Sequence, residues 1–197
     1  MDYELSESEF KNIKSGILQA RDISIKGSID EQILGVIEKI NSHNDFVTIS
    51  SCSGRIVVVS KDEGQKKGCK SVYSNHSIVN EKEFLESILN ETSNLVVKFE
   101  PFILHIQCRT LRHAKFIITC AYESGCKNSG IVLGKRGKIT VAVRNPLNLE
   151  VPISSMGQLL VNEKYLKFLV TEANQKMERN GEIIVKFDEA FNRLLPI

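Results

Sequence analysis

Short runs of β-branched and aromatic residues recur along the chain without the regular strand-helix-strand spacing that a parallel sheet requires. FVTIS at 46–50, RIVVVS at 55–60, LVVKFE at 95–100, FILHIQCR at 102–109, IVL at 131–133 and ITVAVR at 139–144 each have strand length. Between them lie stretches with helical periodicity. Phe10, Ile13, Ile17 and Leu18 share one face of a helix predicted over Glu7 to Ala20, and Ile29, Ile33, Ile37 and Ile40 do so over Ile29 to Ser42. A third helix begins at Asn80 with Phe84, Leu85, Ile88 and Leu89 on its apolar face, and Leu111 to Ser124 reads as a fourth, stopped by Gly125. Asn162 to Met177 places Tyr165, Leu166, Leu169, Val170, Ala173 and Met177 together, with a further helix from Ile183 to Leu195 after Gly181. This mixture predicts an α+β fold of mixed, largely antiparallel sheets with packed helices, in a single compact domain over residues 1–197.

The connections are equally legible. Ser6 with Glu9, Ser28 with Glu31 and Asn80 with Glu83 have the spacing of a helix-capping box. Cys52-Ser53-Gly54 predicts a tight polar turn joining two strands, the polar stretch 61–70 a surface loop, and Gly134 to Lys138 the turn of a hairpin. Val151-Pro152 suits a sheet edge, where a missing N–H is tolerated.

With 42% apolar and 25% charged residues among 197, the chain lies in the ordinary globular range, which excludes disorder, collagen and coiled coil. Lys and Arg number 26 against 24 Asp and Glu, so any nucleic acid must be held by a local basic patch rather than by bulk charge. Five cysteines with no CxxC pair, and an acidic start MDYELSESEF without a signal-peptide core, predict free thiols in the cytoplasm. No apolar run approaches the ~18 residues of a membrane span, so a soluble protein is expected. No His, Cys, Asp or Glu cluster has ligand spacing, and no metal is expected.

The densest polar patch is Ser50-Ser51-Cys52-Ser53-Gly54-Arg55, where small donors precede a guanidinium able to grip a carboxylate or phosphate. Its plainer reading is a polar hairpin turn with a structural cysteine. His76 follows a strand, and His105 alternates with apolar neighbours, as a satisfied histidine on a half-buried strand also would. The turn Ser124-Gly125-Cys126-Lys127-Asn128-Ser129-Gly130 leaves a helix, so it is not the glycine-rich entry of a dinucleotide-binding Rossmann unit. GKRGK at 134–138, with Lys66, Lys67 and Lys70, offers basic loops suited to phosphates, or simply solvated turns.

SSCSGR at 50–55, KFEPFILHIQCR at 98–109, SGCKNSGI at 124–131, GKRGK at 134–138 and LEVP at 149–152 together closely resemble the wybutosine-synthesis tRNA N4-methyltransferases. The resemblance runs in order from KGSID at 26–30 to ANQKM at 173–177. It implies a fold that is not a Rossmann methyltransferase. It also implies S-adenosylmethionine as cofactor and methylation of N4 of 7-(aminocarboxypropyl)-demethylwyosine beside the anticodon of phenylalanine tRNA, with other enzymes of the pathway as further partners.

On that resemblance His76 or Glu100 accepts the nitrogen's proton, with Cys52 shaping the pocket. Ser50, Ser51, Ser53 and Gly54, with Ser124, Gly125, Asn128, Ser129 and Gly130, are the expected cofactor contacts. Arg55, His105, Arg109, Arg144, Lys135, Arg136 and Lys138 are the expected tRNA contacts, the arginines serving the substrate's or the cofactor's carboxylate. Where the family often carries a tryptophan five residues before the histidine, this chain has Ser71, and Tyr73 is the nearest ring to replace it. Loss of that ring favours the competing expectation, a non-catalytic module that binds the modified anticodon loop. A purely structural interaction protein is the third expectation.

Overall fold

The computed structural model describes residues 4–19, 29–61 and 69–195. In chain order its elements are α1 Glu7–Gln19, α2 Glu31–Ser42, β1 Phe46–Cys52, β2 Arg55–Lys61, β3 Cys69–Asn75, α3 Glu81–Ile88, β4 Leu95–Glu100 and β5 Ile103–Cys108. There follow α4 Leu111–Glu123, β6 Gly130–Leu133, β7 Ile139–Arg144, β8 Leu149–Pro152, β9 Ser154–Ser155, β10 Gln158–Leu159 and α5 Glu163–Leu194. Every strand pair among the described residues is antiparallel, as in an α+β fold. The chain groups into two compact units: Met1–Ser53 with Phe102–Pro146 and Gly181–Ile197, and Gly54–Pro101 with Leu147–Asn180.

The first unit is built on a sheet of order β1-β5-β7-β6. Alternation along β1 turns Phe46 and Val47 to opposite faces, and both are buried because both faces are covered. Phe46 joins Ile33, Ile37 and Ile40 of α2, Ile117 of α4, and Phe187 and Phe191 of α5 in one apolar cluster. Val47 packs with Leu5 and Phe10 of the N-terminal segment. The rings of Phe46, Phe116 and Phe191 meet at centroid separations of 5.5–6.0 Å.

Ion pairing ties the margins of this unit. Asp45 bonds the Arg109 guanidinium, Arg109 N–H donates to Asp45 O at 3.0 Å, and His113 Nε2 lies 3.5 Å from the same carboxylate. Lys14 of α1 donates to His43 O at 2.7 Å.

The second unit carries a sheet of order β3-β2-β4-β8 and the small hairpin β9-β10. Ile56, Val58, Val97 and Phe99 of the sheet pack with Phe84 and Ile88 of α3 and with Leu166, Leu169, Ala173 and Met177 of α5. Asn174 binds Val79 twice, its Oδ1 accepting from the N–H at 2.8 Å and its Nδ2 donating to the carbonyl at 3.0 Å.

Most local expectations hold. Ser6 and Glu9 form a reciprocal cap, with Ser6 N–H donating to Glu9 Oε2 at 3.0 Å and Glu9 N–H to Ser6 Oγ at 3.3 Å. Asn80 caps α3 through the N–H groups of Lys82 and Glu83, and Thr110 caps α4 through that of His113. Gly125 ends α4 at φ 96°, and β6 and β7 form the expected hairpin. Val151-Pro152 lies on the edge strand β8.

Three expectations are corrected, and one set lies outside the described residues. The strands flanking Cys52-Ser53-Gly54 do not form a hairpin, because β1 pairs with β5 while β2 pairs with β3 and β4. Gly181 does not break the last helix, since α5 is continuous; one interior glycine costs about 1 kcal/mol, far less than burying Ile184, Phe187 and Phe191 contributes. Leu18, Ile29, Leu89 and Tyr165, assigned to apolar faces, are 51%, 44%, 67% and 40% exposed. Ser28 and the loop 62–68, with Lys66 and Lys67, lie outside the described residues.

Phe46→Ala should cost about 3–5 kcal/mol, because the rings of His43, His113, Phe116 and Phe191 and the apolar face of α2 close on that side chain. Equilibrium denaturation reads this directly, and a loss below about 1 kcal/mol would show that the cluster is not the centre of its unit.

Candidate active site

The segment Ser50-Arg55 begins in the first unit. A bulge in β1 between Thr48 and Ser50 re-registers the strand so that Ser50 faces His105 of β5. Ser50 Oγ and His105 Nδ1 are 2.8 Å apart. Burial, and then the nearby Arg144 cation, hold the His105 pKa below its ordinary value, so this imidazole is neutral near pH 7. Just past the end of β1, Ser53 is fully buried, and its N–H donates to Asp30 Oδ2 at 2.9 Å. Asp30 stands at the N-cap of α2 without capping it, because the carboxylate turns instead to this peptide. Sequence reading met Asp30 only as the end of KGSID.

The segment continues in the second unit. Gly54 adopts φ 111°, and a Cβ there would lie 2.9 Å from Asn180 Nδ2 and 3.2 Å from Glu100 O. Only glycine fits this turn without strain or clash. Arg55 follows, cross-strand from Glu100, and its Nε donates to Glu100 Oε2 at 2.6 Å. Asn180 is fully buried, and sequence reading missed it. The signal was there: Asn180 occupies the apolar stripe of α5, three residues after Met177 and four before Ile184.

His76 is half-buried on the bend after β3. Asn75 Oδ1 accepts from the Ser77 N–H at 2.8 Å and from Ser77 Oγ at 2.7 Å, which fixes the turn that carries the imidazole. Tyr73 is not an open platform. It is buried edge-on against Phe84, while Ser71 is exposed.

The loop after α4 uses its hydroxyls internally. Ser124 Oγ donates to Ala121 O at 2.8 Å, and Ser129 Oγ donates to Cys126 O at 2.7 Å while accepting from Arg144 N–H at 2.9 Å. Asn128 and Gly130 are exposed. Lys135, Arg136 and Lys138 are exposed on the β6-β7 turn, closed by Gly134 N–H to Lys138 O at 2.7 Å, with Arg136 in the left-handed region at φ 57°. Arg109 already has a carboxylate partner in Asp45. Burial raises the thiol pKa of Cys108, Cys120 and Cys126, leaving half-buried Cys52 as the thiol placed among the polar segment's side chains. No described helix is long and apolar enough to cross a membrane.

An antiparallel α+β framework with a conformationally fixed serine-glycine-arginine segment and a turn-mounted histidine defines a non-Rossmann enzyme scaffold. The chain matches the family described as Methyltransferase TYW3 over residues 9–193 and belongs to that family. It is 45% identical over 184 residues to the mouse tRNA wybutosine-synthesizing protein 3 homolog, covering 91% of this chain and 72% of that protein. To the Archaeoglobus fulgidus tRNA(Phe) 7-((3-amino-3-carboxypropyl)-4-demethylwyosine(37)-N(4))-methyltransferase it is 31% identical over 188 residues, covering 94% and 93%. The solved PH1069 protein of Pyrococcus horikoshii superposes with a TM-score of 0.86 at 30% identity, over 95% of this chain and 96% of that one.

The depressed pKa values of His105 and His113 carry a sign that can be checked. Burial is the leading cause in both, so below about pH 6.5 the unfolded chain takes up protons that the folded imidazoles refuse, and stability falls as pH falls. Thermal melts between pH 7.5 and 5.5 should lose less stability in His105→Gln than in the wild type. An identical loss in both would contradict the assignment.

Proposed function

We propose that this chain methylates N4 of 7-(3-amino-3-carboxypropyl)-demethylwyosine, the tricyclic guanosine derivative beside the anticodon of phenylalanine tRNA, in the cytoplasm, with residues 1–197 working as one domain. The observation that carries the reading is that similarity to the archaeal N4-methyltransferase spans 94% of this chain and 93% of that enzyme. Both units draw on separated segments, which supports a single working domain.

S-adenosylmethionine is the proposed methyl donor, and it supplies a methyl group already activated on a sulfonium. The exposed Ser50 and half-buried Ser51 offer such a group neutral hydroxyls, whereas Ser53 is fully buried and the space beside Gly54 is already filled by Asn180 and the Glu100 carbonyl. In the 124–130 turn the exposed Asn128 and Gly130 suit contact better than Ser124 and Ser129, whose hydroxyls already hold the turn.

Displacement at a sulfonium methyl needs alignment and a place for the nitrogen's proton more than a nucleophile. We assign the proton to His76, whose turn is fixed by Asn75, rather than to Glu100, whose carboxylate is engaged by Arg55. Cys52 shapes the pocket. Lys135, Arg136 and Lys138 take tRNA phosphates, and His105 and Arg144 complete the RNA-facing set. One observation favours a non-catalytic binding module instead: Ser71 leaves no ring at its position, and Tyr73 is committed to the core.

In single-turnover assays with labelled S-adenosylmethionine and precursor-bearing tRNA, His76→Ala should slow transfer by about a hundred-fold or more with cofactor still bound. An unchanged rate would remove it as the base. The pair Lys135→Ala and Arg136→Ala should weaken tRNA binding and flatten the dependence of log K on log salt by about 1.5, sparing cofactor affinity. Equal slopes for variant and wild type would refute the phosphate role.

A further inference from the structure

We propose that Arg55 and Glu100 together form a recognition site for an α-amino-acid group, the 3-amino-3-carboxypropyl chemistry. That group belongs to the archaeal relative's substrate by name, and it also terminates S-adenosylmethionine, so one site could read either molecule. The proposal rests on the methyltransferase reading above and specifies what the Arg55 end of the polar segment recognises.

The argument starts from how the two charges are held. Arg55 and Glu100 are register partners on β2 and β4, and the guanidinium is gripped at Nε by Glu100 Oε2 at 2.6 Å. Both side chains are 42% exposed. An arginine held at Nε keeps its two terminal nitrogens as an intact fork, the geometry that accepts a carboxylate through two parallel hydrogen bonds. Glu100 Oε1 keeps its capacity to accept, which suits an ammonium.

Adjacent opposite charges therefore face solvent at hydrogen-bond distance from each other. An amino acid carries its carboxylate and ammonium on one carbon, and its two charges fall in the same order. A phosphate or a simple carboxylate would meet repulsion from Glu100, and a simple cation repulsion from Arg55, so the pair selects the zwitterion.

The seat beneath the pair is equally defined. Gly54 precedes Arg55 and lies against Glu100 O and the buried Asn180 amide, leaving no space for a Cβ. The segment is thus pressed onto the residue that carries its partner charge.

The test uses the full chain with Arg55→Gln and Glu100→Gln, both close in shape to the native side chains, and Arg55→Lys, which keeps the charge without the fork. One arm compares the affinity for S-adenosylmethionine with that for its decarboxylated form. The other compares kcat/KM on phenylalanine tRNA whose tricyclic base carries, or lacks, the aminocarboxypropyl arm.

The wild type should discriminate in one arm by about ten- to a hundred-fold, and Arg55→Gln and Arg55→Lys should lose most of that discrimination while melting normally; Glu100→Gln should do so in the tRNA arm but weaken both cofactor forms alike, since both keep the ammonium. Loss in the first arm assigns the site to the cofactor, and loss in the second assigns it to the tRNA base. Discrimination unchanged in all three variants would overturn the proposal and leave a plain cross-strand pair. Absence of methyl transfer by the wild type to either tRNA would instead contradict the methyltransferase reading, and the cofactor arm would still judge the amino-acid site.

Discussion

The structure turns on where the peptide between Cys52 and Arg55 is placed. Two strands separated by a serine and a glycine would ordinarily close into a hairpin, with that peptide in water. Here Ser53 is buried, and a buried N–H without a partner costs ~1–3 kcal/mol. Asp30 removes that cost by giving up its role as a helix cap and accepting the Ser53 N–H. Gly54 removes the steric obstacle by having no Cβ to strike Asn180 or the Glu100 carbonyl. With both conditions met, β1 and β2 are free to enter different sheets, and Arg55 emerges opposite Glu100.

What the sequence reveals of the fold divides along the range of the interactions involved. Signals spanning three or four residues are reliable here: the Ser6-Glu9 cap, the Asn80 cap and the Gly125 stop are all present. The β6-β7 hairpin is equally local. Signals that depend on distant partners mislead. Nothing in FVTISSCSGRIVVVS says that β1 seeks β5, fifty residues on, and Gly181 looks like a helix break until the burial of Ile184, Phe187 and Phe191 is known.

The site follows the same pattern. The Ser50-Arg55 segment and the His76 turn stand out by composition, whereas Asp30 and Asn180 gain meaning only from the peptide and the glycine they face. Tyr73 shows the reverse, an aromatic suggested for stacking that the fold spends on Phe84.

The chemistry of the site is that of alignment. Buried thiols whose pKa values are raised are poor nucleophiles, and Arg55 at the end of the polar segment is held by Glu100, while Arg109 pairs with Asp45 at the far end of β1. Such a set suits a reaction whose electrophile arrives already activated, leaving the protein to fix geometry and receive one proton.

The most direct measurement is the mass and position of any new methyl group. Phenylalanine tRNA bearing the aminocarboxypropyl-demethylwyosine precursor is incubated with purified protein and S-adenosylmethionine carrying a 13C methyl, digested to nucleosides, and fragmented in the mass spectrometer. The account predicts a single labelled methyl on the tricyclic base at N4. Tight binding of that tRNA with no gain in mass, or a methyl placed elsewhere, would contradict it.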